Sequence, residues 1–482
     1  MSIKNLSRLL ALMTLTWGLV AGATPPRTVF VQLFEWPWQD IAKECEAYLG
    51  PAGFSAVQIS PPHEHLFWKT TPWWDRYQVV SYKIISRAGN EAEFTDMVQR
   101  CQKAGVDIYA DVVINHMTGM RDGEGFGGTK FTHYDYPGLY SYNDFHHCGR
   151  NGNDDIVNYR DRYEVQNCEL VDLADLATES DYVRTQIAKY MDHLLDLGVK
   201  GFRVDAAKHI PADDLAAIYR KLKKSPYIYH EIIFDPGGPI QYSEYTPYGD
   251  VFAYDYTQVL AEGFRNKHPN ALKSIAYNFP ASDKSIVSVT NHDLERHGDA
   301  NILSFNGAEQ RLYRLAQVFM LAWPFGYPQV YSGYRFDNFD QGPPVDSTYK
   351  TLPILDANMN CQGPWTCEHR APEIAPMVEF RNRTDKSFTY NSWWTNGSDQ
   401  IAFGRGTTGF VVINYSSNDL TKEFNTALTG GEYCNILSKG FNLQSKSCVN
   451  PIKVDKNGRF TTTIPAMAPL VLLKNSNSLQ RK

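Results

Sequence analysis

Short β-prone apolar runs alternate with amphipathic helical patterns along most of this chain, and this alternation constrains the fold more than any other feature. Residues 28–36 read as a strand and 38–49 as a helix, and a second strand at 54–60 ends in Pro61-Pro62. Residues 90–104 place Phe94, Met97, Val98 and Cys101 on one helical face. A third strand covers 106–114. After an interruption the rhythm resumes with helix 181–197, strand 201–204, helix 213–222 and strand 227–233, then strands 250–254 and 286–289, helix 308–321 and strand 328–331. Strands joined through helices run parallel. Eight of them fit a closed (β/α)8 TIM barrel better than an open sheet.

A chain of 482 residues exceeds a single core, so further domains are expected. The stretch 116–175 is long, polar and glycine-rich, with Gly123-Glu124-Gly125-Phe126-Gly127-Gly128. A loop of that length is functional or a small domain. After about residue 385 helical patterns stop. Short strands at 400–405, 409–414, 432–437 and 460–464 are separated by Gly, Asn and Ser. These predict a C-terminal antiparallel β-sandwich over 386–474, followed by a polar tail at 475–482. The fold class is α/β: a barrel over 24–115 and 176–385, an inserted domain at 116–175, and the sandwich.

Lys4 and Arg8 precede an apolar stretch at 9–20 and the small residues Ala21-Gly22-Ala23. This pattern reads as a secretory signal peptide over 1–23, too short in its apolar part to span a membrane. No other segment is long and apolar enough for that. Eight cysteines, an even number, agree with an exported, disulfide-bonded protein. A net charge of -6 with no basic stripe argues against nucleic acid. No interaction segment stands out, so a monomer is expected.

The chemistry lies at strand ends. Asp205 follows Gly201-Phe202-Arg203-Val204. Alone it would read as a helix cap. Glu231 ends the 227–233 strand, and Asp293 closes the run Val289-Thr290-Asn291-His292-Asp293. Packing does not explain three acids after three separate strands, because buried acids need partners. In an α/β barrel such positions face the active-site mouth. Glycoside hydrolysis uses this set: a nucleophile, an acid, and a third carboxylate that keeps the acid's pKa raised.

Phe202-Arg203-Val204-Asp205-Ala206-Ala207-Lys208-His209, the Glu231 strand, the run to Asp293, and Asp111-Val112-Val113-Ile114-Asn115-His116 resemble the four motif regions of the α-amylase family of glycoside hydrolases. The likeness is greatest to the chloride-dependent, animal-type members and covers nearly the whole mature chain. It implies an endo-acting enzyme that cleaves internal α-1,4 bonds of starch, glycogen and maltooligosaccharides with retention of configuration. Asp205 is the implied nucleophile, Glu231 the acid/base, and Asp293 the carboxylate at the cleavage subsite. Glu231 is then expected above its reference pKa of about 4.3.

The resemblance also implies sugar contacts from Trp73, Trp74, Tyr77, Gln78, His116, Lys208, His209 and His292. A buried aromatic cluster is the plainer account of the two tryptophans. Calcium would be held by the side chains of Asn115 and Asp175 and the backbone carbonyls of Gln166 and His209, with Asp172 a competitor for Asp175. Chloride would be held by Arg203, Asn291 and Arg335. The family's disulfide pattern matches Cys45–Cys101, Cys148–Cys168, Cys361–Cys367 and Cys434–Cys448. The chain departs from the family at 294–300, which is poorer in glycine than the family's mobile loop, and at a short 221–226 segment. The rival readings are transglycosylation or maltooligosaccharide release on the same fold, and a non-catalytic carbohydrate-binding protein.

Overall fold

The computed structural model describes residues 28–474, apart from 234, 276–278, 299–301, 443–444 and 446. The expected signal peptide at 1–23 and tail at 475–482 lie outside the described residues.

Eight parallel strands close into a barrel. They are β1 (Phe30–Leu33), β2 (Ala56–Ile59), β3 (Asp107–Val112), β4 (Gly201–Val204), β5 (Tyr227–His230), β6 (Asp250–Phe252), β7 (Ser285–Val287) and β8 (Tyr327–Ser332), with β8 returning to pair with β1. Most are shorter than the apolar runs that predicted them, because the chain leaves the barrel wall before the run ends. The lower interior is apolar and aromatic, with Phe30, Ala56, Tyr109, Tyr229, Phe252 and Ile286 packed together. Strand register then sets a polar layer above it. Asp111 on β3 lies beside Arg203 on β4, and Arg203 beside Tyr229 on β5. Gln329 on β8 donates its amide to Gln58 Oε1 on β2 at 2.5 Å.

The outer helices form where the sequence caps them. Asn90 accepts from the backbone of Ala92 and Glu93, while Glu93 returns a bond to the Asn90 N–H. Such a box is worth about 1 kcal/mol. It starts helix Glu91–Lys103, which buries Phe94, Met97, Val98 and Cys101. The predicted helix at 38–49 divides: an α-helical part, Trp38–Glu44, gives way to a π-helical turn at Cys45–Leu49. Cys45 and Cys101 are bonded across a separation of 56 residues, a loop whose closure is worth about 4 kcal/mol in the chain-entropy account. The other three disulfides pair as expected.

Between β3 and helix Asp181–Asp196 the chain builds a hairpin (Asp122–Glu124 with Lys130–Thr132) and a short helix, Arg162–Asn167. Its glycines have a packing reason. The buried Glu64 accepts from the N–H groups of Gly127 and Thr129 at 2.9 and 3.0 Å. A Cβ on Gly125 or Gly127 would meet that carboxylate at 2.6 or 2.9 Å.

The C-terminal part is all β. Strands β9 (Asn391–Thr395), β10 (Gln400–Arg405), β11 (Gly409–Asn414), β12 (Leu420–Asn425), β13 (Gly431–Asn435), β14 (Ile452–Val454), β15 (Arg459–Ile464) and β16 (Ala468–Lys474) form a six-stranded antiparallel sheet, with β12 and β15 paired separately. Period-2 alternation divides its apolar residues. Phe403, Val411, Ile413 and Val471 join the main core, whereas Phe410, Val412 and Leu472 pack with Phe424 and Phe460 of the β12–β15 pair.

Candidate active site

The three strand-end carboxyls converge. Asp205, Glu231 and Asp293 line one cleft of about 830 Å³ with Trp73, Trp74, Tyr77, His116, Tyr254 and Leu294 among its walls. Asp205 follows β4, Glu231 follows β5, and Asp293 lies in the first turn of helix His292–His297 beyond β7. Their side chains are 10%, 9% and 26% exposed, so Asp293 is the most open of the three.

Arg203 is the hub. Nη1 donates to both oxygens of Asp111 at 2.7 Å and to Asp205 Oδ1 at 2.8 Å, and Nη2 lies 2.5 Å from Glu231 Oε1 and 3.8 Å from Asp293. One cation thus faces four acids, and the electrostatics follow from that ratio. Burial, and then the charge of Glu231, push Asp205 and Asp293 above the usual carboxylate range. Burial also pushes Asp111 up, to about 6, against the pull of Arg203.

Glu231 behaves differently from the sequence expectation. Burial raises it, but Arg203, the Tyr254 hydroxyl and the Ala206 N–H together outweigh burial and hold it below its ordinary value. Tyr254 donates to Oε1 at 2.7 Å and Ala206 N to Oε2 at 2.8 Å. Of the two neighbouring carboxyls, Asp293 is thus the one pushed up and Glu231 the one held down.

The expected sugar contacts divide. Trp74 is half-buried and anchored by Nε1 to Asp340 at 2.9 Å. Trp73 is buried and anchored to the Phe339 carbonyl at 2.8 Å. Tyr77 and His116 line the cleft, and His116 Nε2 meets the Tyr77 carbonyl at 3.1 Å. His292 lies behind Tyr77, stacked on it at 5.3 Å with its Nε2 2.8 Å from the Tyr77 hydroxyl. Lys208 and His209 are buried in the turn after Asp205, and His209 Nδ1 meets the Val165 carbonyl at 2.9 Å. Gln78 is not among the residues that line the cleft. Its Oε1 accepts from the Thr118 hydroxyl and the Gly119 N–H at 2.7 and 3.0 Å, so it braces the insertion instead.

The expected calcium ligands fall into two pairs, each close. Asn115 and Asp175 are buried side by side, with Nδ2 3.2 Å from Oδ1. The His209–Val165 bond brings the turn at 207–209 against the helix that carries Gln166. Burial pushes Asp175 up to about 6, and its nearest positive group is His146 at 2.6 Å. A buried carboxyl, an amide and two backbone carbonyls are hard oxygen donors, and they fit calcium. Asp172 lies elsewhere, in a group with Asp155 and Glu169 whose donor atoms are within 4.8 Å of one another.

The chloride set does not come together. Arg335 is exposed, three residues beyond the end of β8, and its backbone N–H goes to the Pro364 carbonyl. The β8 side chain inside the barrel is the neutral Gln329. Asn291 caps the next helix through Oδ1, accepting from Leu294 N at 2.9 Å, and its Nδ2 approaches the Tyr254 hydroxyl at 3.4 Å. With one guanidinium already facing four acids, an added anion meets net repulsion, and the residues present do not fit a chloride ion.

Sequence reasoning gave no role to Asp111, Gln58 or Tyr254. Asp111 could have been found by register, since it opens the motif on β3 beside Arg203. Tyr254 had no local signal.

Known proteins resemble this chain over most of its length. Residues 43–239 match the family model "Alpha amylase, catalytic domain", and residues 391–475 match "Alpha amylase, C-terminal all-beta domain". An alpha-amylase from Pecten maximus is 40% identical over 476 residues, covering 93% of this chain and 92% of its own. The crystal structure of wild-type alpha-amylase I from Eisenia fetida superposes with a TM-score of 0.86 at 35% identity, covering 93% of this chain and 98% of its own. A glutamate-to-glutamine variant of that enzyme, in complex with maltohexaose, matches with the same values. From the closed barrel, the clustered acids, the β-sheet partner and these likenesses, the chain belongs to the α-amylase family of glycoside hydrolases.

Proposed function

We propose that the cleft hydrolyses internal α-1,4-glucosidic bonds of starch, glycogen and maltooligosaccharides, with retention of configuration. The observation that carries this reading is that one guanidinium touches both Asp205 and Glu231. That bridge holds the two carboxyls close together, which supports a retaining pair over an inverting one, whose carboxyls stand further apart to admit a water. The maltohexaose complex of the Eisenia fetida enzyme supports a linear maltooligosaccharide as ligand.

Asp205 attacks the anomeric carbon as the glycosidic C–O bond breaks, and Glu231 gives its proton to the departing oxygen. Glu231 then takes a proton from water, which attacks the same carbon and releases Asp205. Asp293 binds sugar hydroxyls, and its negative charge beside Glu231 favours the protonated acid there. Tyr77, Trp74 and His116 present the glycone wall, with Trp73 and His292 behind it. Lys208 and His209 lie on the leaving-group side. Asn115, Asp175, Gln166 and His209 would hold a calcium ion that ties the insertion at 116–175 to the barrel and takes no part in bond making. The barrel segments 24–115 and 176–385 and the sandwich at 386–474 are the remaining units of this division. The four disulfides and the leader-like residues 1–23 support a location outside the cell.

The test follows maltooligosaccharide hydrolysis by NMR and labels the enzyme with a 5-fluoro-glycosyl fluoride. An α-anomer as first product, and a label on Asp205, support the reading. A β-anomer first, or no hydrolysis in the presence of calcium, would overturn it.

A further inference from the structure

The hydroxyl on Glu231 comes from a residue that neither the sequence nor the comparisons single out. Tyr254 opens helix Tyr254–Arg265, directly beyond β6, and is buried. Its ring is fixed against Phe252 at 4.7 Å. The hydroxyl donates to Glu231 Oε1 at 2.7 Å, and Asn291 Nδ2 approaches the same hydroxyl at 3.4 Å. Glu231 is thus gripped from three sides: Arg203 on β4, the Ala206 N–H in the turn after Asp205, and Tyr254. Of these, only the tyrosine hydroxyl can both donate and accept.

We infer that Tyr254 is the positioning residue that orients Glu231 and sets the pH at which it yields its proton. This rests on the reading of Glu231 as the acid/base. A hydroxyl that donates to a carboxyl oxygen favours the ionised form. Tyr254 therefore suits the second half of the reaction, in which Glu231 acts as a base, and it fixes the rotamer for the first half. The other groups that face Glu231 are Arg203, Asp111, Asp205 and Asp293 by charge, Tyr229 from β5, and His116 and His209 from the loops. Tyr254 is the one neutral side chain among them in direct contact with Oε1.

The test is Tyr254→Phe in the full-length protein, assayed on a maltooligosaccharide and on α-maltosyl fluoride. One hydrogen bond corresponds to about half to one pH unit. The alkaline limb of kcat/KM should move up by about that amount, because Glu231 keeps its proton longer. KM should stay within about twofold, and kcat on the oligosaccharide should fall about tenfold or more. Fluoride leaves with little acid help, so the loss on maltosyl fluoride should be several-fold smaller. An unmoved alkaline limb, equal losses on both substrates, or a change confined to KM would overturn the inference. Hydrolysis by the wild type on both substrates keeps such a failure separate from a failure of the proposed function. 3-Fluorotyrosine at position 254 preserves shape and strengthens the donor. The limb should then move down, and an unmoved limb overturns the inference even if Tyr254→Phe folds poorly.

Discussion

Arg203 and Asp111 face each other across adjacent barrel strands, with Nη1 2.7 Å from both carboxylate oxygens. The cation that serves the cleft is thus held from below by an acid that does not line it. This arrangement stores repulsion, because Asp111, Asp205, Glu231 and Asp293 all depend on the same guanidinium.

Arg203→Met should therefore unfold more easily in a pH-dependent way. Removing one partner from a buried ion-pair set costs about 3–5 kcal/mol. Asp111, Asp205 and Asp293 have folded-state pKa values above their unfolded values. Such groups contribute stability that is fully present below the unfolded pKa, near 4, and lost as pH rises through the folded pKa. Without Arg203 those folded values rise further, so the gap in melting temperature between wild type and variant should widen from pH 5 to pH 7.5. A constant gap across that range would show that the acids do not depend on Arg203.

The charge count also predicts the response to halide. Starch hydrolysis by protein dialysed free of halide should change by less than about twofold on adding chloride, since an anion beside four acids and one cation gains little. Strong activation would mean that an anion enters the cluster after all.

These results separate what local sequence carries from what it does not. Asp205, Glu231 and Asp293 were legible because strand ends in a barrel have a fixed destination, so residue type and position suffice. The contacts of Gln78 could not be read locally, because its partners Thr118 and Gly119 lie about 40 residues away. Arg335, matched through the resemblance, falls outside the barrel wall, because β8 ends at Ser332 and inward-facing Gln329 lies in the interior. The lowered pKa of Glu231 could not be read locally, since Arg203, Tyr254 and Ala206, which hold it down against burial, lie on other elements. The barrel, insertion and sandwich were legible because they rest on periodicity, which is a property of contiguous residues.

Asp175 and Asp172 offer a contrast that tests the calcium assignment. The two aspartates are three residues apart, yet Asp175 is buried beside Asn115 while Asp172 is exposed with Asp155. Calcium bound to the folded protein alone adds stability that grows with its concentration. Wild type should melt several degrees higher in millimolar calcium than in EGTA. Asp175→Asn should lose most of that difference, because it removes the carboxylate a hard cation needs. Asp172→Asn should keep the difference within about 1 °C, since surface substitutions of this kind move stability by less than about 0.5 kcal/mol. If instead Asp172→Asn abolishes the calcium shift and Asp175→Asn does not, the ion belongs to the group of Asp155, Glu169 and Asp172. The buried pair would then serve only to hold the insertion against the barrel through His146, which bridges Asp175 and Glu179 at 2.6 and 2.8 Å.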